Sequence, residues 1–350
     1  MKKTRTFLLF MMLIVAVSPS YDILGDNSDP IIVLVDNYYG GYHSNDYSSF
    51  IGNLTEWGYE YQNLTCPFSE FDLSDIDIII TMAPSVWAEK VYSATDIQAI
   101  KTWFEEDGKG LWVAGDSDYA DINGKVAVNA NALLEKINSN ILIEQASVES
   151  DFNCGAVYRV QTGIYNTQDP IGKMINANIT YNTGYFHGPS PLMVELENGT
   201  YVTMEGNEDM LLSTYNITWI TKAGNTEFSS KIIHASSLGL PYRVHKENKE
   251  GKYVLVATQV ICNSKIIVSG EAPFSNYRKM FNEYNEKQVP NDNPLMVKNA
   301  IKWLSVQEIS FTTTISTTET LNITTAPGFG IMMLGITIIG WIILQRKRSK

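Results

Sequence analysis

The sequence predicts an α/β domain built on a doubly wound, mostly parallel sheet, with an antiparallel β-rich section and a C-terminal transmembrane helix. Three observations carry this. Several short runs are apolar at almost every position, as strands covered on both faces are. Segments of helical spacing alternate with the first of these runs, which is how parallel strands are connected. After residue 151 the pattern changes to short β-rich runs broken by Asn, Gly and Pro.

Asp29-Pro30 leads into a strand at Ile31–Val35, five apolar residues in a row. After a Gly- and Tyr-rich loop, Phe50, Leu54 and Trp57 recur at helical spacing, predicting a helix over Tyr47–Trp57 that Gly58 ends. Strands follow at Tyr59–Leu64 and Ile76–Met82. Ser93-Ala94-Thr95-Asp96 is a capping box, and Ile97, Ile100 and Phe104 give its helix a buried stripe. The Gly108-Lys109-Gly110 turn stops that helix, Leu111–Ala114 is the next strand, and Gly115–Asp118 is the loop at its C-terminal end.

In the second half, β-rich runs are expected at Ala156–Thr162, Leu192–Leu196, Tyr201–Met204, Trp219–Thr221, Lys231–Ala235 and Tyr253–Gln259. Asn198-Gly199 between two of them is a hairpin signal. Lys265–Ser269 reads as a late core strand. Asn293 as cap and Pro294 at the first helical position open a final helix, whose apolar face is Val297, Ala300, Ile301 and Leu304.

The two ends address the chain. Lys2, Lys3 and Arg5, the apolar run Phe7–Val17 and the small residues Ser18 and Ser20 form a secretory signal over residues 1–20. That run is too short to span a bilayer, which disfavours an N-terminal anchor. Near the other end, Ala326–Leu344 is uncharged and reaches about 28 Å as a helix, close to the hydrocarbon thickness. Its basic tail, residues 345–350, is expected to be cytoplasmic and the body external. Residues 21–28 are then a short leader, 29–305 the α/β ectodomain with its β-rich section at about 151–264, and 306–325 a Thr/Ser-rich stalk suited to O-glycosylation.

Composition agrees. Hydrophobic residues make up 44% and charged residues 18% of the 350, enough apolar content for a sizeable core. Seven of the 26 basic residues are Lys2, Lys3, Arg5, Arg346, Lys347, Arg348 and Lys350; the other 19 face 38 acidic residues, so the body carries −19. Such a body repels polyphosphates and excludes nucleic acid as a partner. Sequons at Asn53, Asn63, Asn178, Asn198, Asn216 and Asn322 fit an external location. Cys66, Cys154 and Cys262 allow at most one intramolecular disulfide, in three pairings, and no pair has metal-ligand spacing.

Two resemblances add to this reading. Pro327-Gly328-Phe329, an apolar helix and a basic tail, behind a Thr-rich stalk, resemble the PGF-CTERM sorting signal of archaeal surface proteins. That likeness implies cleavage of the tail and replacement by a lipid anchor. The cadence of Asp75–Ile80, Tyr92–Phe104 and Gly110–Asp116, with Ser269-Gly270-Glu271-Ala272-Pro273-Phe274 before Asn293–Leu304, resembles the class I glutamine amidotransferase-like superfamily. The likeness is to its non-enzymatic ThuA-like and GIFT-type branches, over about residues 30–135 and 250–305. It implies a flavodoxin-like sheet with any site at the C-terminal ends of the strands.

The chain departs from the enzymes of that superfamily. Where they carry Gly-x-Cys-x-Gly, it has Gly115-Asp116-Ser117-Asp118-Tyr119, with Ser117 in place of the thiol. Its His-x-Glu, His245-Lys246-Glu247, falls in a charged stretch that reads as a solvated hairpin loop. Glutaminase activity is therefore not expected. Ser117 as a nucleophile needs a base, for which His43, His187 and His234 are the candidates, none within a motif; a serine in such a turn is more often a cap. Asp36, Asp116, Asp118 and Glu271 could converge at one rim and suit a hard cation in ligand type, but without a loop spacing for one they read more simply as loop caps (Asp36 and Asp116) and solvated groups.

Tyr38, Tyr39 and His43 lie on a loop that could stack on a sugar or equally pack against the neighbouring helix, and Ser85 follows the third strand. The expectation is a surface-anchored, non-enzymatic ectodomain that binds a protein or an envelope glycan through this rim. An external hydrolase using Ser117 or the carboxylates is the alternative, and an accessory subunit of a membrane transport assembly a third. No cofactor is implied.

Overall fold

The computed structural model describes residues 29–39, 46–84, 90–117, 125–235 and 241–306. The first half contains β1 (Ile32–Asp36), α1 (Ser48–Glu56), β2 (Glu60–Leu64), β3 (Ile78–Met82), α2 (Ala94–Phe104), β4 (Gly110–Ala114) and α3 (Lys125–Lys136). The second contains β5 (Ile141–Ile143), β6 (Ser147–Ser150), β7 (Arg159–Tyr165), α4 (Pro170–Ile175), β8 (Gly184–His187), β9 (Leu192–Glu195), β10 (Tyr201–Thr203) and α5 (Glu208–Tyr215). Then come β11 (Ile217–Ala223), β12 (Ser230–Ile233), β13 (Glu250–Gly251), β14 (Val254–Ile261), β15 (Ser264–Ser269) and α6 (Asn293–Ser305).

Nine strands form one sheet in the order β2-β1-β3-β4-β15-β14-β11-β7-β8. The pairs from β2 to β15 are parallel, and those from β15 to β8 are antiparallel. The parallel half has the flavodoxin-like order, with β15 as its fifth strand. The β-rich section is thus no separate layer: four of its strands continue the same sheet, while β10-β9-β5 and β13-β12-β6 form two small sheets of three strands.

The unbroken apolar runs have a direct cause. Leu34, Ile79, Leu111, Val113, Ile266 and Val268 belong to one buried cluster, with Ile100, Trp103 and Phe104 of α2 and Leu133 and Leu134 of α3. The residues between them, Val33, Val35, Ile78, Ile80, Trp112 and Ile267, belong to another, with Phe50 and Leu54 of α1 and Val297, Ala300 and Ile301 of α6. Alternate side chains of each strand enter opposite cores, so every position is apolar. Each fully buried Leu, Ile or Val contributes about 1.5–3 kcal/mol. β2, at the sheet edge, is instead exposed at four of its five positions and carries Glu60, Gln62 and Asn63.

The capping box forms with both halves: Ser93 accepts from the Asp96 amide, and the Asp96 carboxylate accepts from the Ser93 amide. β9 and β10 pair antiparallel around Asn198-Gly199, with Gly199 at φ 75°. The last helix departs from expectation at its start. Asp292, not Asn293, is the flanking residue, and neither caps it by side chain. Asp292 accepts from the amides of Thr180, Tyr181 and Thr183, while Asn293 brackets the Tyr185 backbone, donating to its carbonyl and accepting from its amide.

The charged stretch from His245 to Lys252 is solvated only in part. Lys246–Glu250 are exposed, but His245 is buried. The signal (residues 1–20), the leader (21–28), the apolar run 326–344, the basic tail and all of the stalk after Val306 lie outside the described residues. Among the described residues no helix is long and apolar enough to cross a membrane.

Candidate functional site

The parallel strands β1, β3, β4 and β15 point their C-terminal ends to one rim, where Asp36, Thr81, Asp116, Ser117 and Glu271 gather. Asp36 is buried and accepts from the Thr81 hydroxyl at 2.6 Å and from the Tyr38 and Tyr39 amides at 3.1 and 3.0 Å. Burial pushes its carboxyl up to about 6, against the opposing pull of these hydrogen bonds. Thr81 also meets the Tyr92 hydroxyl at 2.5 Å.

Glu271 is 0% exposed. One of its oxygens accepts from the Ala272 amide at 2.8 Å, and the other has no hydrogen-bond partner. Burial, and then the neighbouring Asp116 carboxylate, push the Glu271 carboxyl well above the usual range. Burial beside a like charge thus favours the protonated form of Glu271. The buried Tyr47 hydroxyl, also without a hydrogen-bond partner, feels both Asp36 and Glu271, and burial with those charges pushes it upward.

Backbone contacts place these groups. Asp116 turns back to accept from the Ser117 amide at 2.7 Å. The Gly115 amide donates to the Ser269 carbonyl, carrying the β4–β15 register past the strand ends. The segment from Gly188 to Pro191 crosses this turn: the Ser190 hydroxyl donates to the Asp116 carbonyl at 2.7 Å, and the Ser190 amide donates to the Gly270 carbonyl at 2.9 Å. A Cβ on Gly270 would lie 1.8 Å from the Ser190 carbonyl oxygen, so only glycine fits there.

Gly188 in turn faces Ser117, whose hydroxyl would lie 3.4 Å from a Cβ on Gly188. That brings His187 to the same end of the sheet. Its ring meets Tyr158 and Tyr277 edge-on, with centroids 5.4 and 5.0 Å away. Burial, followed by the Arg159 and Arg278 charges, lowers it to about 4, so the imidazole is neutral at physiological pH.

Of the residues singled out in the sequence, Asp36, Asp116, Ser117 and Glu271 are therefore brought together, while the His187 ring lies among Tyr158, Tyr277 and the Arg159 and Arg278 charges. Ser117 is only 2% exposed. His234 lies near Arg243 instead, where burial and that charge lower it. Tyr39 is stacked on Phe68 and edge-on to Tyr92, and it also lines a groove at this end of the sheet. His43, Ser85 and Asp118 lie outside the described residues. Among the described residues no group of three or more His, Cys, Asp or Glu is placed to hold a metal ion. Cys66, Cys154 and Cys262 are all free thiols.

Tyr38, from the same loop as Tyr39, stands on a groove wall. It lines an open groove of about 410 Å3 at the ends of β1, β2 and β3, with Ser69, Glu70, Lys90, Thr95 and Asp96 among the other walls. The Lys90 ammonium sits 3.4 Å from the centre of the Tyr38 ring. Burial works against an ionised Asp96, but hydrogen bonds from Ser93, Tyr39 and Ser69 outweigh it and hold the carboxyl at about 2. Sequence reasoning missed Thr81, Tyr47 and Lys90. Only Thr81 carried a signal, as a polar residue near the C-terminal end of an otherwise apolar central strand.

No protein-family model matches the chain, and no curated protein matches its sequence. Among solved structures it is similar to a protein from Bacteroides uniformis described as ThuA-like, at 12% identity and a TM-score of 0.42, covering 82% of this chain and 97% of that one. It is also similar to a protein from Thermoplasma acidophilum described as belonging to GMP synthase, with 8% identity and a TM-score of 0.37, covering 80% and 96% of the two chains. A third is Agd3, a carbohydrate deacetylase, at 11% identity and a TM-score of 0.42, where 79% of this chain matches 32% of the other.

Proposed function

We propose that the chain is an exported, membrane-anchored ectodomain that binds an envelope glycan at the ends of its parallel strands and performs no chemistry on it. The groove carries this reading. An aromatic face, an ammonium, a carboxylate and several hydroxyls around an open cleft suit a polyhydroxylated ligand. The groups that could serve as nucleophile and base are otherwise engaged: Ser117 lies buried under the Gly188 segment, and both ring nitrogens of His245, the histidine of the His-x-Glu, are bonded to carboxylates. Export is supported by the exposure of Asn63, Asn178, Asn198 and Asn216, four of the six sequon asparagines.

The full chain in detergent should bind members of a glycan panel, and Tyr38→Ala and Lys90→Ala should each weaken that binding about tenfold. Unchanged affinity in both variants overturns the assignment of the groove. Mass spectrometry of the mature protein should find a terminus near Tyr21 and glycan mass on the exposed sequons.

One observation favours the hydrolase reading. Glu271, held protonated beside Asp116 and next to Ser117, is the kind of pair an acid–base step needs. Esterase or peptidase turnover that Ser117→Ala or Glu271→Gln abolishes would replace the binding reading.

A further inference from the structure

The antiparallel edge of the sheet carries a second constellation. β7 and β8 pair so that Arg159 lies across from His187 and Gln161 across from Tyr185. Cross-strand partners and alternate residues share a face, so Arg159, His187 and Tyr185 point to the same side. The segment around residues 277–286 meets that side. Arg159 and Arg278 both reach the Glu286 carboxylate, at 2.6 and 3.5 Å, and the Tyr277 ring meets His187.

Three features mark this cluster. Two guanidiniums share one carboxylate, which leaves a positive charge over on a chain whose net charge is −12. The Tyr185 hydroxyl and Arg159 Nε, both buried beside Glu286, have no hydrogen-bond partner. Burial and the Glu286 charge push the Tyr185 hydroxyl upward, so it keeps its proton as a donor. Arg278 and Lys279, at φ 50° and 60°, are held in the left-handed region that non-glycine residues avoid, with Arg278 46% exposed.

Unmade buried donors next to a shared carboxylate form an alternative berth for it. We propose that this face binds a carboxylate-bearing sugar: the ligand's carboxylate takes Arg278 while Glu286 turns inward to Tyr185 and Arg159, and the rings of Tyr158 and Tyr277 flank the sugar. Tyr158 is 39% exposed and lies edge-on to His187. The class of ligand rests on the glycan-binding reading above; the location rests on these residues alone.

The test is calorimetric titration of the full chain with glucuronate oligosaccharides, neutral glucose oligosaccharides of equal length, acetate and an acidic peptide. Glucuronate should bind about tenfold more tightly than the other three. Arg278→Ala should remove that preference, and Tyr185→Phe should weaken glucuronate binding several-fold without lowering Tm. Equal affinity for charged and neutral sugars, or an Arg278→Ala variant that binds glucuronate as before, overturns the proposal. So does acetate or peptide binding as tightly as the sugar. Loss of glucuronate binding in Tyr38→Ala but not in Arg278→Ala would place the sugar in the strand-end groove, sinking this site and leaving the first.

Discussion

Replacing His245 with alanine is expected to lower Tm by on the order of 10 °C near neutral pH. Its Nδ1 lies 2.5 Å from the fully buried Glu144 carboxylate, and its Nε2 lies 3.0 Å from Glu205. The remaining oxygens are used too: Glu144 accepts from the Val244 and His245 amides, and Glu205 from the Val254 amide. Tyr253 packs edge-on against the imidazole. Burial opposes a charged ring, but the two carboxylates outweigh it and raise His245 to about 9 from 6.5. Removing the cation leaves two acids facing each other, one with no access to water, and such a loss costs about 3–5 kcal/mol.

Linkage gives a similar size and a sign. A folded-state value above the unfolded one means stabilisation that is complete below pH 6.5 and disappears as pH rises through about 9, on the order of 3 kcal/mol in all. The wild-type Tm should therefore fall between pH 7 and 10, while His245→Ala should fall less over that range and show its largest deficit at pH 6. A variant within about 2 °C of wild type at pH 6, or a wild type insensitive to that pH range, refutes the structural role of this triad.

What was legible in the sequence follows from the range over which each feature is decided. Ile78–Met82 and Gly110–Ala114 are recognisable because burial on both faces leaves a local mark, and the Ser93–Asp96 box because its partners are three residues apart. His245 is the opposite case. Its neighbours Lys246–Glu250 are exposed and make the stretch look solvated, whereas the groups that bury it come from 101 and 40 residues away. Asn293 has the spelling of a helix cap but is recruited by Tyr185, 108 residues earlier.

The strand-end acids Asp36, Asp116 and Glu271 could be located because parallel strands deliver their C-terminal residues to one rim whatever the loops do. Their surroundings could not. The covering Gly188–Pro191 segment and the Tyr47 hydroxyl arrive through tertiary contacts that leave no pattern in the chain.

Glu271→Gln is expected to stabilise the protein at neutral pH. An unfolded glutamate ionises near 4.5, whereas burial and then Asp116 hold the folded carboxyl protonated well above that. The sign follows: the stability of the folded state is greatest below pH 4.5 and declines as pH rises toward the folded value, because only the unfolded chain releases the proton freely. A glutamine of the same shape keeps the hydrogen-bonding atom that accepts from the Ala272 amide and has nothing to ionise. Urea unfolding at pH 4.5 and 7.5 should therefore give nearly equal stabilities for the two proteins at the lower pH and a more stable variant at the higher. The same substitution bears on the choice between binder and hydrolase. An acid kept at a stability cost in the strand-end rim is what a catalytic or proton-holding role would maintain, and a binding protein would lose nothing by the exchange. A variant that is more stable and binds glycan as before supports the binder. A variant no more stable than wild type at pH 7.5 would mean that the Glu271 carboxyl is not held protonated.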